Sequence, residues 1–210
     1  MKILLADDHA MFRSGLRHIL EEEFPDVEIQ ESSSCEATLQ KLKNIEWDLL
    51  LLDIALSDKS SLNILPDIKE IHPKLPVLIL SMYNDRQFVV QALRGGAAGY
   101  LTKENAPDEL IRAIRTVMTG RRYISETMAE QIAEHLAAGD ESQHPHQALS
   151  AREYEVFLMI ASGLSISDIS AKLELSVKTV STYRTRILEK TGLHSNADII
   201  RYAVRHGLSE

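Results

Sequence analysis

Between Lys2 and about Met118, short apolar runs alternate five times with segments of helical period. Ile3 to Ala6 precedes Phe12, Leu16, Ile19 and Leu20; Val27 and Ile29 precede Cys35, Leu39 and Leu42; Leu49 to Leu52 precedes Leu65 and Ile68. Val77 to Leu80 then precedes Phe88, Val89, Ala92 and Leu93, and Gly99-Tyr100-Leu101 precedes Leu110, Ile111, Ile114 and Val117. Strand-helix units repeated in this way close by right-handed crossovers into a parallel sheet with helices on both faces. The expected fold is therefore α/β, a doubly wound five-stranded parallel sheet.

The pattern changes after Gly120. Ser125 to Ala138 reads as a helix through Met128, Ile132 and Leu136, and the stretch to His146 is polar and rich in breakers. Beyond it the chain becomes all helical. Ser150 and Glu153 form a capping box ahead of Val156, Phe157, Ile160 and Ala161, and Ser167 is positioned to cap a short helix holding Ile169 and Leu173. Glu174-Leu175-Ser176 supplies a turn before a longer helix, Val177 to Thr191, which Gly192 stops. Ser195 and Asp198 form a second capping box before Ile199, Ile200, Ala203 and Val204. The expected boundaries are residues 1–124 for the α/β domain, 125–146 for a linker helix and flexible linker, and 147–210 for a four-helix domain. Two consecutive helices joined by a tight turn are the usual form of a DNA-reading module.

The net charge of −8 argues against nucleic acid until it is divided along the chain. Residues 1–125 carry 15 basic against 19 acidic groups, residues 126–144 none against 5, and residues 145–210 carry 8 against 7. Within Val177 to Lys190, Lys178, Arg184, Arg186 and Lys190 face one acid, Glu189, so a single helix holds the positive field. Cys35 is the only cysteine, which excludes an internal disulfide and suits a reducing compartment. The longest apolar runs fall far short of a membrane span, and the first five residues run into Asp7 and Asp8 rather than a signal core. A cytoplasmic protein with no membrane partner is expected.

Asp7 and Asp8 end the first strand and Asp53 ends the third. In sheet order 2-1-3-4-5 these strands are neighbours, and their carboxyl ends border the crevice where such folds bind ligands. Three converging carboxylates repel one another and raise at least one pKa unless a cation compensates, and an all-oxygen set suits Mg²⁺. Asp53 can then act as nucleophile toward a phosphoryl donor, with Lys103 at the end of the fifth strand offsetting charge and the Ser81 hydroxyl at the end of the fourth bonding the phosphoryl oxygens. His144 and His146, with His135, are read as a polar linker rather than a metal site.

These residues resemble the receiver family in order and spacing: Leu4-Leu5-Ala6-Asp7-Asp8-His9, Leu52-Asp53-Ile54, Leu80-Ser81-Met82 and Gly96 to Lys103. Leu149-Ser150-Ala151-Arg152-Glu153, Ile169 to Leu173, Ser176-Val177-Lys178-Thr179-Val180 and Lys190-Thr191-Gly192 resemble the LuxR-type helix-turn-helix. Together they make the chain similar to a NarL/FixJ-type two-component response regulator, a flavodoxin-like receiver followed by a DNA-binding domain.

The resemblance implies that Asp53 is phosphorylated by a sensor histidine kinase, that Asp8 and Asp53 ligate Mg²⁺ directly with Asp7 through water, and that the Ala55 carbonyl completes the set. It implies a switch pair, Ser81 and Tyr100, in which Tyr100 packs inward on phosphorylation. It places Ser181, Thr182 and Thr185 nearest the base edges in the major groove, with Lys178, Thr179, Tyr183, Arg184 and Arg186 nearer the phosphates. Val180, Ile187 and Leu188 would hold that helix on the domain core. The partners implied are operator DNA with two half-sites, a second copy of the chain when active, and RNA polymerase. The chain is expected to be a phosphoryl acceptor with at most slow autophosphatase activity. An aspartyl-phosphate hydrolase would place a second carboxylate two residues after the nucleophile, where Ala55 stands. The loop departs from the family, with Ser57-Asp58 and Ser60-Ser61 where Pro-Gly and Asp-Gly pairs are usual, and that change bears on the lifetime of the phosphorylated state.

Overall fold

The computed structural model describes residues 1–56, 60–138 and 144–208, with residue 131 and residues 134–138 described by their backbone alone. The chain divides into two compact units, Met1–Asp140 and Glu141–Glu210. In the first, strands β1 (Lys2–Ala6), β2 (Glu28–Ser32), β3 (Leu49–Asp53), β4 (Val77–Ser81) and β5 (Gly99–Thr102) pair in parallel in the order β2-β1-β3-β4-β5. Between and after them run α1 (Ala10–Glu23), α2 (Cys35–Asn44), α3 (Leu65–Ile71), α4 (Arg86–Arg94) and α5 (Ala106–Met118). The expected sheet and its order are the ones observed.

The strands' composition follows from their place in the sheet. β3 and β4 are buried throughout, which is why they read as unbroken apolar runs, whereas edge strand β2 alternates and shows a weaker signal. Ile3, Leu5, Leu49, Leu51, Leu78 and Leu80 pack against Leu16 and Leu20 of α1 and Leu110, Ile114 and Val117 of α5. Burial on this scale, about 1.5–3 kcal/mol per large side chain, fixes the sheet and with it the positions of the polar residues at its carboxyl edge.

A strap closes the free edge of β5. The Tyr123 carbonyl accepts from Tyr100 N–H at 2.9 Å and its N–H donates to the Ala98 carbonyl at 3.0 Å. Its hydroxyl donates to Glu109 Oε2 at 2.8 Å and accepts from Arg112 at 3.0 Å, so α5 holds the ring. Helix α6 (Glu126–Ala138) follows and lies against α4, with Met128 buried.

The second unit opens with a 3₁₀ turn at Pro145–Ala148 and contains α7 (Ala151–Ala161), α8 (Ile166–Lys172), α9 (Val177–Thr191) and α10 (Asn196–Arg205). Val156, Phe157, Ile160, Ile169, Val180, Ile187, Ile199 and Ala203 are among its buried apolar residues along the four helices. The Ser150–Glu153 capping box is formed in both directions. Three local expectations are corrected. Ser165, not Ser167, caps α8, because Asp168 stands three residues later and returns a carboxylate oxygen to the Ser165 N–H at 3.1 Å. At α10 the Ser195 hydroxyl accepts from Asp198 N–H, but the Asp198 carboxylate takes the Ser195 hydroxyl rather than completing the box on the backbone. On α9 the third buried position is Thr191, whose hydroxyl is satisfied by the Ile187 carbonyl at 2.7 Å, while Leu188 is half-buried. The ring of His146 is buried against Tyr202, with Nδ1 2.8 Å from its hydroxyl; His144 stacks on it and His206 lies tilted beside both. His144 and His146 therefore pack as rings; the side chain of His135 lies outside the described residues. No helix among the described residues is long and apolar enough to cross a membrane.

Gly99 has no room for a side chain: a Cβ would stand 2.7 Å from the Tyr123 carbonyl oxygen and 2.9 Å from Leu78 Cδ1. Gly99→Ala must push the strap off the β5 edge or strain β4, so a loss of about 1–3 kcal/mol is expected in urea unfolding. An unchanged midpoint would show that the strap is not held where described.

Candidate functional site

Sheet register brings the acids together. Ala6 of β1 pairs with Leu52 of β3, so Asp7 and Asp8 emerge beside Asp53 at the carboxyl edge. Lys103 follows β5 two strands away, and its N–H donates to the Ser81 carbonyl at 2.7 Å, which directs its side chain from β4–β5 pairing. Lys103 Nζ then lies 2.7 Å from Asp53 Oδ2 and 2.7 Å from Asp7 Oδ2, with all three residues buried. Ala55 N–H donates to Asp53 Oδ1 at 3.2 Å. His9 joins the group: its N–H donates to Asp7 Oδ1 at 2.7 Å and its Nδ1 lies 2.8 Å from Asp8 Oδ1. Asp7, Asp8, His9 and Asp53 each offer one ligand atom, all within 4.8 Å of one another, so this cluster can hold a cation.

Electrostatics separates the carboxylates. Burial pushes Asp53 up to about 7, Lys103 opposes this, and the Asp7 charge adds to it. Asp7 is equally buried, yet bonds from His9 and the charge of Lys103 hold it below its ordinary value. Burial opposes the charge of Lys103, but Asp53 and Asp7 outweigh it and keep the ammonium protonated. Hydrogen bonds to Asp7 and then Asp8 raise His9 to about 10. Asp53 therefore holds a proton more firmly than Asp7.

Ser81 and Tyr100 meet through the backbone of Tyr83. Ser81 Oγ accepts from Tyr83 N–H at 2.9 Å, and the Tyr100 hydroxyl donates to the Tyr83 carbonyl at 2.8 Å. Tyr100 is already inward and buried, which keeps its phenol protonated well above the usual range.

On α9, Ser176 caps the N-terminus by accepting from Thr179 N–H at 3.0 Å. Lys178, Ser181, Thr182, Thr185 and Arg186 are exposed, while Thr179, Tyr183 and Arg184 are half-buried. The Thr182 hydroxyl donates to the Lys178 carbonyl and the Thr185 hydroxyl to the Ser181 carbonyl, at 3.0 and 3.1 Å. Arg184 Nε donates to Asn196 Oδ1 at 2.6 Å, and Lys190 Nζ donates to Glu153 Oε2 at 2.5 Å. Two of the four cations counted in this segment are therefore engaged within their own domain.

A family model described as the response regulator receiver domain matches residues 3–115, and one described as bacterial regulatory proteins, luxR family, matches residues 147–203. The chain belongs to the response regulators. It is 33% identical over 209 residues to the response regulator UvrY of Escherichia coli (strain K12), covering 99% of this chain and 95% of the relative. It is 37% identical over 216 residues to the oxygen regulatory protein NreC of Staphylococcus haemolyticus, covering 99% of each. Among solved structures it is similar to RcsB of Salmonella enterica serovar Typhimurium bound to promoter P1flhDC with the phosphomimetic BeF₃⁻. That likeness has a TM-score of 0.59 at 25% identity, over 96% of this chain and 97% of the other.

In this response regulator the structure gathers Asp7, Asp8, Asp53 and Lys103 at one point, with Ala55 bonded to Asp53 and Ser81 bonded to Lys103. Ser57 and Asp58 lie outside the described residues; Ser60 and Ser61 are buried. The sequence places His9 in the Asp7-Asp8-His9 motif but assigns it no role, although its position directly after Asp8 at a strand end is the available signal.

Because Asp53 binds a proton more readily folded than unfolded, ionising it destabilises the fold. That penalty is absent below the ordinary carboxylate pKa of about 4 and complete above about 7. In chelator, Asp53→Asn should therefore raise stability at pH 8 by about 1–3 kcal/mol and leave it nearly unchanged near pH 4. Denaturation midpoints that shift equally at both pH values would contradict this.

Proposed function

We propose that this response regulator accepts a phosphoryl group on Asp53 from a sensor histidine kinase, with Mg²⁺ held by Asp8, Asp53, the Ala55 carbonyl and, through water, Asp7. The observation that carries the reading is the Lys103 ammonium, buried and shared at 2.7 Å between Asp53 and Asp7. An ammonium so placed pairs with the Asp53 carboxylate now and with a phosphoryl oxygen later. The predominantly oxygen donor set at the cluster fits the metal. Mg²⁺, when bound, offsets charge on the transferring group.

The Asp53 oxygen attacks the phosphorus, the bond to the donor's nitrogen breaks with its electron pair leaving on that nitrogen, and an acyl phosphate remains. The Ser81 hydroxyl exchanges the Tyr83 N–H for a phosphoryl oxygen. The Tyr100 hydroxyl, bonded to that same Tyr83, follows the rearrangement. No carboxylate occupies position 55, so nothing there activates water efficiently, in keeping with a phosphoryl acceptor that turns itself over slowly. The Ser-rich stretch at 57–61 leaves the acids intact and affects how long the phosphate lasts.

The output in this reading is operator DNA bound by a cytoplasmic homodimer, with α9 in the major groove and RNA polymerase as a further partner. RcsB bound to promoter DNA with a phosphomimetic supports it. Thr182 and Thr185, whose hydroxyl hydrogens are given to the helix, present lone pairs and methyl groups, which suits base-edge donors and the thymine methyl. Ser181 lies on the same exposed surface. Lys178 and Arg186 serve the phosphates, with Thr179 and Tyr183 beside them and Arg184 braced on Asn196.

Beryllofluoride should bind only with Mg²⁺ present, and Asp53→Asn should abolish binding; equal binding by both proteins would overturn the site. On DNA, Thr182→Ala should change the ranking of operator variants, while Arg186→Ala should weaken all of them and lower the salt slope by roughly 1. A uniform loss from both, in titrations across an operator series, would mean that the two residues do not divide base reading and phosphate contact in this way.

A further inference from the structure

His9 takes no part in the phosphoryl transfer derived above, yet its ring stands among the carboxylates. Nδ1 lies 2.8 Å from Asp8 Oδ1, 3.4 Å from Asp7 Oδ1 and 3.8 Å from Asp53 Oδ2. Atoms that share one cation are separated by the edges of its coordination polyhedron. These edges are about 3.0 Å for an octahedron with bonds of about 2.1 Å and about 3.3 Å for a tetrahedron with bonds of about 2.0 Å. The three separations lie on either side of those edges and the four ligand atoms fall within 4.8 Å of one another, so the imidazole nitrogen stands within reach of a cation held by the carboxylates.

The ring is also held there. The His9 N–H is tied to Asp7 Oδ1, and its carbonyl accepts from Arg13 N–H at 3.0 Å as α1 begins, so the backbone is fixed on both sides. Its side chain is 54% exposed, which leaves an approach from solvent that need not disturb the sheet.

We propose that His9 is a fourth protein ligand at the acidic site and that it gives this response regulator a preference for borderline divalent cations, Mn²⁺, Co²⁺ and Zn²⁺, over Mg²⁺. This rests on the reading of the acidic cluster as a cation site. An imidazole nitrogen adds affinity along the first-row series, whereas Mg²⁺ favours oxygen donors and retains its waters. The ring sheds its proton as the cation enters. A nitrogen ligand also fills a position that Mg²⁺ would keep for water or a phosphoryl oxygen, so the bound ion sets how open the site is to its donor.

The test uses full-length protein and Mn²⁺ as the probe, followed by electron paramagnetic resonance, with Mg²⁺ affinity obtained by competition. Wild type should show electron-spin-echo modulation from a directly bound ¹⁴N. His9→Asn should lose that signal, still bind both ions, and reduce the Mn²⁺-to-Mg²⁺ affinity ratio by about tenfold. Mn²⁺ bound without nitrogen modulation, or a ratio unchanged in His9→Asn, would overturn the proposal and leave His9 as a hydrogen-bond partner of Asp8. Because the wild-type signal needs no variant, misfolding of His9→Asn does not decide the outcome. Asp53→Asn separates the two readings: undiminished Mn²⁺ affinity in that variant would defeat the cation site itself, whereas weakened Mn²⁺ binding with no nitrogen signal in wild type defeats only the role of His9.

Discussion

One buried ammonium balances the acidic edge of the sheet. Lys103 Nζ touches both Asp53 and Asp7 at 2.7 Å, and neither carboxylate has appreciable contact with water. Removing the ammonium would leave two buried carboxylates uncompensated, at a cost of about 3–5 kcal/mol, whereas removing Asp53 leaves Lys103 still paired with Asp7. The balance is incomplete, as the raised Asp53 shows. A site in this balance favours any ligand that brings positive charge, and in the proposed function it rearranges when Asp53 takes up a phosphoryl group.

The rearrangement has a physical route within the first unit. Lys103 is anchored through its N–H to the Ser81 carbonyl, Ser81 Oγ holds Tyr83, and Tyr83 holds the Tyr100 hydroxyl. Tyr100 N–H donates in turn to the Tyr123 carbonyl in the strap that leads into α6. A shift of Ser81 toward Asp53 therefore bears on the strap through hydrogen bonds alone. The lack of space at Gly99 makes that coupling tight, since the strap lies directly on β5.

The five parallel strands, the domain class and the acidic cluster were legible in the sequence because each follows from a period or a chain position, whereas the strand order came with the fold that the sequence resembles. Unbroken apolar runs mark strands buried on both faces, and polar residues ending such runs must sit at one edge. Side-chain choices were less legible. That Ser165 rather than Ser167 caps α8 depends on which serine takes extended backbone, and both are serines near the same helix start. Thr191 at a core position of α9 is acceptable only because the Ile187 carbonyl satisfies its hydroxyl, a bond that no hydrophobic pattern encodes. Within the basic stretch of α9, Lys190 pairs with Glu153 of α7 and Arg184 bonds the neutral amide of Asn196 at the start of α10, contacts set by tertiary packing. His9 escaped because a histidine beside two aspartates reads as a loop residue until its ring is placed.

In the proposed function, charge arriving at Asp53 controls DNA binding by α9. In that reading one recognition helix makes few phosphate contacts, so one copy would bind weakly at physiological salt, and a second copy would strengthen binding through effective concentration. The most direct measurement is a gel-shift titration of full-length protein on one operator, with and without beryllofluoride and Mg²⁺. Affinity should be higher by about 10²- to 10⁴-fold with the analogue, and the same affinity in both conditions would contradict control of DNA binding from Asp53.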